Sequence, residues 1–575
     1  MTTFVNAMDQ NDGVNITRLG ENNHSEYTWS VFQKDKIVQL YYQINRCSEE
    51  ESKSMADIFY NLLVTYKNDT KMTELLYRLV VFTRDMIDGK GERQISFDFI
   101  YQVSRIDQNA AQMMIHHIVS GDKLGSEGKQ HQYGCWRDLK ILWSNYDWKA
   151  INFDSSFMIS LMNKQVKADI NASKLSLVAK WIPREKSKYK RMFYVLAEDY
   201  YSEYLSTPVT KDQMDKAKKK VYMNYRKMIS SLNMQLDTVQ IKQCDKNYSS
   251  IDYDHVTSIT MAKQKNAFLN TYKNGDLRST EEDRVSGAQN IQKFISDKVS
   301  SGKTIQGKRV STYDFIKDAY YYNSTKSDLI DDHKALLNSQ WTDAGKSLGS
   351  LENFVAMVDT SGSMECDDYT PLYNAIGLGC RIAEKSKLGR RVLTFHSDPS
   401  WVNLEGKDTL CEMVDEIKTS NSKGYGTNFT KALDLILDSV VKARLTNDVV
   451  KNIALVILSD MQIDGQTDDQ PDRIYNTNEH ITESMMDLIK RKYADAGNKI
   501  HGIPYDVPCM VFWNLRTTSG FPTLTDQIGA SMMSGSNPTL INSFCNSGLT
   551  ELRNMTPWDN MVKSLMNDRY NIFTA

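Results

Sequence analysis

The chain has 575 residues, of which 41% are hydrophobic and 25% charged, and its formal net charge is −2. This length exceeds what one hydrophobic core serves, so we expect two or more domains. No apolar run approaches the roughly 18 residues that span a bilayer, and the eight cysteines are scattered without a C-x-x-C pair, which excludes a zinc knuckle or disulfide framework. Residues 1–26 lack the apolar core of a signal peptide, so we expect a cytoplasmic protein with reduced thiols.

The first part of the chain predicts helices. Residues 1–28 are polar and predict a flexible N-terminal arm, and residues 29–345 predict an α-helical, repeat-like domain. Apolar residues recur there at helical spacing, for example Ala56, Ile58, Phe59, Leu62, Leu63 and Tyr66. Short polar turns between such stretches favour antiparallel helix pairs, and hence a HEAT-like solenoid or ring. The more polar residues 239–310 predict long helices or an excursion from the solenoid.

The centre of the chain is basic. Residues 151–330 contain 30 Lys and Arg against 20 Asp and Glu, a balance of +10, so the remainder carries −12. A basic region joined to acidic segments indicates an anionic partner, of which nucleic acid is the commonest.

Two basic runs in this region include aromatic residues. The first surrounds Trp181 and Tyr189 and consists of Lys180, Arg184, Lys186, Lys188, Lys190 and Arg191. The second lies beside Tyr222 and Tyr225 and includes Lys218, Lys219, Lys220, Arg226 and Lys227. Cations that follow phosphates and rings that stack on bases suit single-stranded nucleic acid. The alternative for both runs is a solvated helix surface, with Trp181 in the core.

A third candidate lies in the turn that contains Gly89 and Gly91. Lys90 and Arg93 belong to this turn, where backbone N–H groups can also face an anion. The alternative is a turn between helices in which Arg84 pairs with a nearby carboxylate such as Asp85 or Asp88.

Residues 346–575 predict an α/β domain, because strand and helix patterns alternate. Strands are expected near 353–358, 391–396, 452–458, 508–513 and 529–533. Helices are expected near 371–387, 428–443, 480–496 and 557–567. The fold class is therefore α plus α/β, with a doubly wound sheet whose ligands bind beyond the carboxyl ends of its strands.

Three loops of this domain offer oxygen ligands. Asp359, Ser361 and Ser363 follow the first strand, Thr427 lies in a glycine loop before a helix, and Asp460 follows the third strand. Alternate oxygens on a tight loop suit a hard cation such as Mg²⁺. The alternative is a nucleotide-fold domain whose site binds no metal.

This pattern resembles the von Willebrand factor A domain and its metal-ion-dependent adhesion site. The family's ligand pattern corresponds to the five residues just named, and the chain has Met461 where family members often have glycine. The resemblance implies a Rossmann-like domain that binds Mg²⁺, with Ca²⁺ or Mn²⁺ as alternatives.

The helical part resembles an uncharacterised family from plants, fungi and giant DNA viruses, in which a helical region precedes a von Willebrand A domain. The resemblance rests on four blocks: 84–93 (RDMIDGKGER), 133–139 (YGCWRDL), 176–185 (SLVAKWIPRE) and 225–227 (YRK), the last with Leu232, Leu236 and Asp237 downstream. The architecture is also similar to that of the Ro ribonucleoprotein autoantigen family, a TROVE ring joined to an A domain. That similarity implies an RNA partner, single-stranded or a small structured RNA.

No phosphate loop, nucleophile elbow or H-E-x-x-H occurs, so we expect a protein that is not an enzyme. The first hypothesis is a monomeric, ribonucleoprotein-like RNA-binding protein with a divalent-metal site in its A domain, in the cytoplasm of a host or in a virion. The alternative is a metal-dependent protein-interaction scaffold, virion-associated, that binds no nucleic acid.

Overall fold

The computed structural model describes residues 17–20, 24–121, 125, 128–273, 275–325, 330–420, 426–462, 485–518 and 520–573. The chain forms two compact units. The sheet unit comprises residues 1–58, 257–262 and 297–567, and the helical unit comprises residues 59–256, 263–296 and 568–575. The boundaries predicted after residues 28 and 345 stay a prediction, because these units are defined by packing and follow other limits.

The described residues between 33 and 345 are mainly helical, as their apolar spacing predicts. The α-helices in this stretch are α1 (Gln33–Gln43), α2 (Glu49–Tyr66), α3 (Thr70–Arg84), α4 (Gln94–Ser104), α5 (Gln108–Ser120), α6 (Trp136–Asn145), α7 (Ser156–Asp169), α8 (Val178–Trp181), α9 (Lys190–Tyr200), α10 (Ser202–Leu205), α11 (Lys211–Leu236), α12 (Val239–Cys244), α13 (Ser258–Phe268), α14 (Glu282–Ser300), α15 (Thr312–Ser324) and α16 (Ile330–Gly345).

Side-chain caps explain where several of these helices begin. Asp69 accepts hydrogen bonds from the first N–H groups of α3. Thr210 and Gln213 form a capping box at the start of α11, and that helix ends where Asp237 turns left-handed. Such caps satisfy backbone groups that a helix leaves unpaired. The helical character of this region is therefore confirmed, and the HEAT-like solenoid or ring stays a prediction.

The sheet unit contains a six-stranded, mostly parallel sheet. Its strands are β3 (Phe354–Asp359), β4 (Arg391–Phe395), β5 (Ser400–Asn403), β6 (Ala454–Ser459), β7 (Cys509–Asn514) and β8 (Ala530–Ser534). The strand order is β5-β4-β3-β6-β7-β8, and all neighbours are parallel except β4 and β5. The helices of this region are α17 (Cys366–Lys385), α18 (Leu410–Ser420), α19 (Phe429–Lys442), α20 (Asn447–Val450), α21 (Met485–His501), α22 (Asn542–Asn554) and α23 (Pro557–Leu565).

All five predicted strands are present, because each is an apolar run buried on both faces, as parallel strands are. The prediction of an α plus α/β protein is confirmed at this level. Strand β5 was missed because it is a short edge strand with exposed Trp401 and Asn403 on one face. The part of the predicted helix 480–496 before residue 485 lies outside the described residues.

The strand order places the sheet's switch point at β3. Among the six strands of this sheet, β3 comes first in the sequence, and its neighbours β4 and β6 lie on opposite sides of it. A crevice therefore forms beyond the carboxyl ends of β3 and β6. Asp359 is the last residue of β3, and Asp460 follows β6 directly.

The start of α17 is strained. Asp367, Asp368 and Tyr369 all adopt left-handed backbone angles, with φ of 50°, 57° and 61°, so the regular helix begins only after them. Three consecutive left-handed residues other than glycine are costly, and such strain is characteristic of functional sites.

The predicted arm is not loose where it is described. Two short strands, β1 (Thr17–Leu19) and β2 (Ser25–Tyr27), pair antiparallel, and Tyr27 exchanges two backbone hydrogen bonds of 2.9 Å with Phe521. Residues 1–16 and 21–23 lie outside the described residues. Across the described chain, the helices are all too short or too polar to cross a membrane.

Candidate metal centre and nucleic-acid interface

Four of the five predicted metal ligands meet at the switch point. The Ser361 hydroxyl lies 3.1 Å from that of Ser363, which donates to Asp460 Oδ1 at 3.3 Å. The Ser361 backbone N–H donates to Asp359 Oδ1 at 3.0 Å. Both carboxylates are fully buried, and Ser363 is half-buried. The structure therefore brings two carboxylates and two hydroxyls together at one edge of the sheet.

Thr427 lies in the loop before α19, beside the carboxyl end of β4. It is buried, and the N–H of its neighbour Asn428 donates to the carbonyl of His396, after β4, at 3.2 Å. Residues 422–425 of the predicted glycine loop lie outside the described residues.

The two buried carboxylates disfavour each other's charge. Burial and, secondarily, the neighbouring Asp460 raise the pKa of Asp359 to about 7. Burial also raises the pKa of Asp460, against the opposing effects of the Gln462 N–H and of Arg516. A carboxylate pair in this state needs protons or a cation to balance its charge.

Three residues around the pair were missed by sequence reasoning. Ser459 donates to Asp359 Oδ2 at 2.5 Å, and the Gln462 N–H donates to Asp460 Oδ1 at 3.2 Å. Arg516 Nη1 lies 3.5 Å from Asp460 Oδ2 and is 30% exposed. Ser459 and Gln462 flank Asp460 in sequence and could have been found from it, whereas Arg516, after β7, carries no local signal.

The departure at Met461 has a structural explanation. Met461 adopts a left-handed backbone with φ of 60°. Glycine adopts this conformation without cost, so it is the favoured residue at such a position. The third loop thus takes a glycine-like shape although it holds methionine.

The donor set fits a hard divalent cation. Carboxylate and hydroxyl oxygens are the ligands that Mg²⁺ prefers, and two carboxylates supply charge for it. The described residues contain no cluster of three or more His, Cys, Asp or Glu of the kind that holds a metal, and this site itself offers only two carboxylates. The metal site itself stays a prediction.

The first basic run forms an exposed surface in the helical unit. Lys180, Trp181 and Tyr189 are half-buried, and the other members are exposed: Arg184, Lys186, Lys188, Lys190 and Arg191. Lys188 Nζ lies 4.9 Å from the centre of the Tyr189 ring, and Arg191 Cζ lies 5.8 Å from that of Trp143. We call these eight residues, 180–181, 184, 186 and 188–191, the basic–aromatic surface.

Two cations from α6 add to this surface, and sequence reasoning missed both. Arg137 Cζ lies 5.6 Å and Lys140 Nζ 5.0 Å from the centre of the Trp181 ring. Their signal was present, because Arg137 belongs to the WRDL block and Lys140 lies three residues later on the same helix face.

The second basic run is partly neutralised. Lys218 pairs with Glu198 at 3.1 Å, and Arg226 pairs with Glu185 at 2.6 Å. Tyr225 is buried in the core. Lys219, Lys220 and Lys227 are exposed. This run therefore offers three exposed cations, and Tyr225 offers no ring on which a base could stack. The run resembles the alternative, a solvated helix surface, more than a nucleic-acid interface.

The Lys90 side chain of the glycine turn is buried, so its prediction as a nucleic-acid contact is corrected, whereas Arg93 is 37% exposed and stays a prediction. Lys90 is 2% exposed, and burial lowers its pKa well below the usual range against the opposing charge of Glu92. Arg84 and Arg93 both bind Asp138, which is fully buried; Arg93 Nε donates to it at 2.7 Å. Arg84 thus pairs with Asp138 rather than with Asp85 or Asp88.

The sequence matches two family models, both described as domains of unknown function. One, DUF2828, covers residues 149–348, and the other, DUF7788, covers residues 353–570. The chain is 27% identical over 509 residues to the uncharacterized protein L728 of Acanthamoeba polyphaga mimivirus, covering 82% of this chain and 76% of that protein. The predicted resemblance to an uncharacterised giant-virus protein is thereby confirmed, and membership of the wider family stays a prediction.

One solved structure shows a weak similarity to this chain. The crystal structure of Deinococcus radiodurans RO (RSR) protein covers 89% of this chain and 99% of its own, with a TM-score of 0.35 and 11% identity. Similarity this low carries no argument for a shared fold or activity. The von Willebrand A and Ro resemblances stay predictions.

Proposed function

We propose that this chain is a non-enzymatic RNA-binding protein whose helical unit contacts single-stranded RNA through the basic–aromatic surface. The observation that supports this most is the exposure of Arg184, Lys186, Lys190 and Arg191, since within the described residues no carboxylate pairs with any of them. A single strand of nucleic acid carries phosphate charges and bases that can stack. Exposed cations without acidic partners can bind the phosphates, and half-buried aromatic rings can stack on the bases.

The sheet unit would hold a divalent cation, Mg²⁺ first and Ca²⁺ or Mn²⁺ as alternatives. Ser361 and Ser363 would bind it together with Thr427 or Asp460, and Asp359 would act directly or through water. When bound, the cation would supply a Lewis-acidic position for a carboxylate of a protein partner or for solvent. The buried carboxylate pair supports this part of the proposal, because its charge lacks a full counterion.

A variant in which alanine replaces Arg184, Lys186, Lys190 and Arg191 should bind single-stranded RNA more weakly. Each lost phosphate contact should lower the slope of log affinity against log salt by about 0.7, because fewer counterions are released. Fluorescence polarisation at several salt concentrations measures both quantities.

The matched control replaces four exposed lysines elsewhere in the helical unit: Lys67, Lys71, Lys149 and Lys164. It removes the same net charge and should leave the slope nearly unchanged. Equal losses in the two variants would show that only overall charge matters and would refute a specific surface.

A further inference from the structure

The basic–aromatic surface contains one place where cations crowd together. Lys140 Nζ lies 5.0 Å from the centre of the Trp181 ring and 5.2 Å from that of Tyr189. Arg137 Cζ also lies near the Trp181 ring, at 5.6 Å from its centre, and Lys188 Nζ lies 4.9 Å from the centre of the Tyr189 ring. Lys180 Nζ also lies 5.9 Å from the centre of the Trp181 ring but donates to Gln240 Oε1 at 3.0 Å. Besides Lys180, three cations from two segments of the chain thus converge on one pair of rings.

No acid balances these charges within the described residues. Arg137, Lys140 and Lys188 form no ion pair there, although Lys218 and Arg226 in the same unit each pair with a glutamate. Burial, the charge of Arg137 and, more weakly, that of Lys188 lower the pKa of Lys140. Like charges held close together without a counterion are unfavourable, so the arrangement is suited to an external anion.

The number of cations and the two aromatic rings indicate which type of anion fits this place. Three cations exceed the single charge of a phosphodiester, whereas a phosphomonoester carries close to two charges and three acceptor oxygens at neutral pH. The rings of Trp181 and Tyr189 are half-buried, so each keeps an accessible part on which a neighbouring base can stack. A terminal nucleotide supplies both features.

We propose that Arg137, Lys140 and Lys188 bind the terminal phosphomonoester of a single-stranded nucleic acid whose end base stacks on Trp181 or Tyr189. This inference rests on the proposed function and adds to it a preference for phosphorylated ends. The chemistry is the same at a 5′ and a 3′ end, so the experiment distinguishes the two.

The test compares three RNA 12-mers of one sequence that carry a 5′ phosphate, a 3′ phosphate or hydroxyl groups at both ends. Polarisation titrations with the full chain should show binding about 10-fold tighter for one phosphorylated end, the size of one or two charge-assisted hydrogen bonds. Tighter binding through either end supports the proposal and identifies that end.

Variants locate the preference. Lys188→Ala changes an exposed side chain and should reduce the preference for the phosphorylated RNA end at least several-fold. Arg137→Ala should reduce that preference by a similar factor. Lys164→Ala, on α7, should retain it. Equal affinity of the wild-type chain for all three RNAs would overturn this inference and leave the proposed function standing. Absence of binding to every RNA at low salt would overturn both.

Discussion

Replacing Arg569 by methionine should lower the free energy of unfolding of the helical unit by about 3–5 kcal/mol. Arg569 Nε donates to Asp85 Oδ2 at 2.6 Å, and its Nη2 donates to Asp85 Oδ1 at 2.9 Å. Both side chains are almost completely buried, with exposures of 2% and 0%. Methionine fills much of the same volume but leaves the Asp85 charge buried without its counterion, which is the costly outcome.

Surrounding contacts show why this pair is hard to replace. Tyr570 also donates to Asp85, at 3.0 Å, and the Arg569 guanidinium lies 4.9 Å from the centre of the Tyr133 ring. Burial disfavours the charged form of Arg569, but its hydrogen bonds to Asp85 and the Asp85 charge outweigh this and raise its pKa. The C-terminal residues 568–573 therefore complete the core of the helical unit.

Urea unfolding, followed by circular dichroism, measures the change. Lys246→Met is the matched control, because Lys246 and Glu281 form an exposed pair at 3.4 Å that is worth less than about 1 kcal/mol. The double variant Asp85→Asn with Arg569→Met should regain part of the loss, since it leaves no charge unpaired. A loss below 1 kcal/mol for Arg569→Met would contradict this account of the buried pair.

In the absence of divalent cations, the stability of the sheet unit should fall as pH rises through about 7. The pKa of Asp359 is near 3.8 when exposed and about 7 when folded, so between these values the folded chain binds a proton that the unfolded chain does not. The contribution of Asp359 to the free energy of unfolding is thus highest below about pH 4. It decreases by at most about 1.4 kcal/mol per pH unit until Asp359 is ionised in the folded chain.

Magnesium should reverse the effect at pH 8. A cation that binds only the folded carboxylates stabilises the unit by about 2.7 kcal/mol at 100 times its dissociation constant. Thermal unfolding with EDTA or with Mg²⁺, Ca²⁺ or Mn²⁺, at pH 6 and pH 8, gives both the slope and the metal response.

Asp359→Asn should remove the pH slope and the response to Mg²⁺ together, because the amide neither titrates nor supplies a charge. Asp408→Asn is the control, since Asp408 is 86% exposed at the rim of the sheet unit and should change neither. A wild-type chain that Mg²⁺ does not stabilise at pH 8 would refute the metal site.

The parts of the fold that were predicted from sequence are those with local signals. Strands β3 and β6 are continuous apolar runs, and a parallel sheet places their carboxyl ends together, which is why Asp359, Ser361, Ser363 and Asp460 were found to meet. The helices of residues 33–345 follow from apolar spacing in the same way.

Non-local pairings were beyond sequence reasoning. Lys90 lies between two glycines, a context typical of a surface turn, and nothing nearby in sequence indicates that it is buried. Asp85 and Arg569 are 484 positions apart. The Lys140 ammonium lies near the rings of Trp181 and Tyr189 only because α6 packs against α8 and the start of α9.

The measurement that tests the central claim most directly is a polarisation titration of the intact chain with single-stranded and hairpin RNA at two salt concentrations, with and without Mg²⁺. The account predicts binding that favours single strands and weakens with salt, with a slope of about −0.7 for each phosphate contacted. Absence of binding at low salt would contradict RNA binding and favour a protein-interaction scaffold that acts through the metal site.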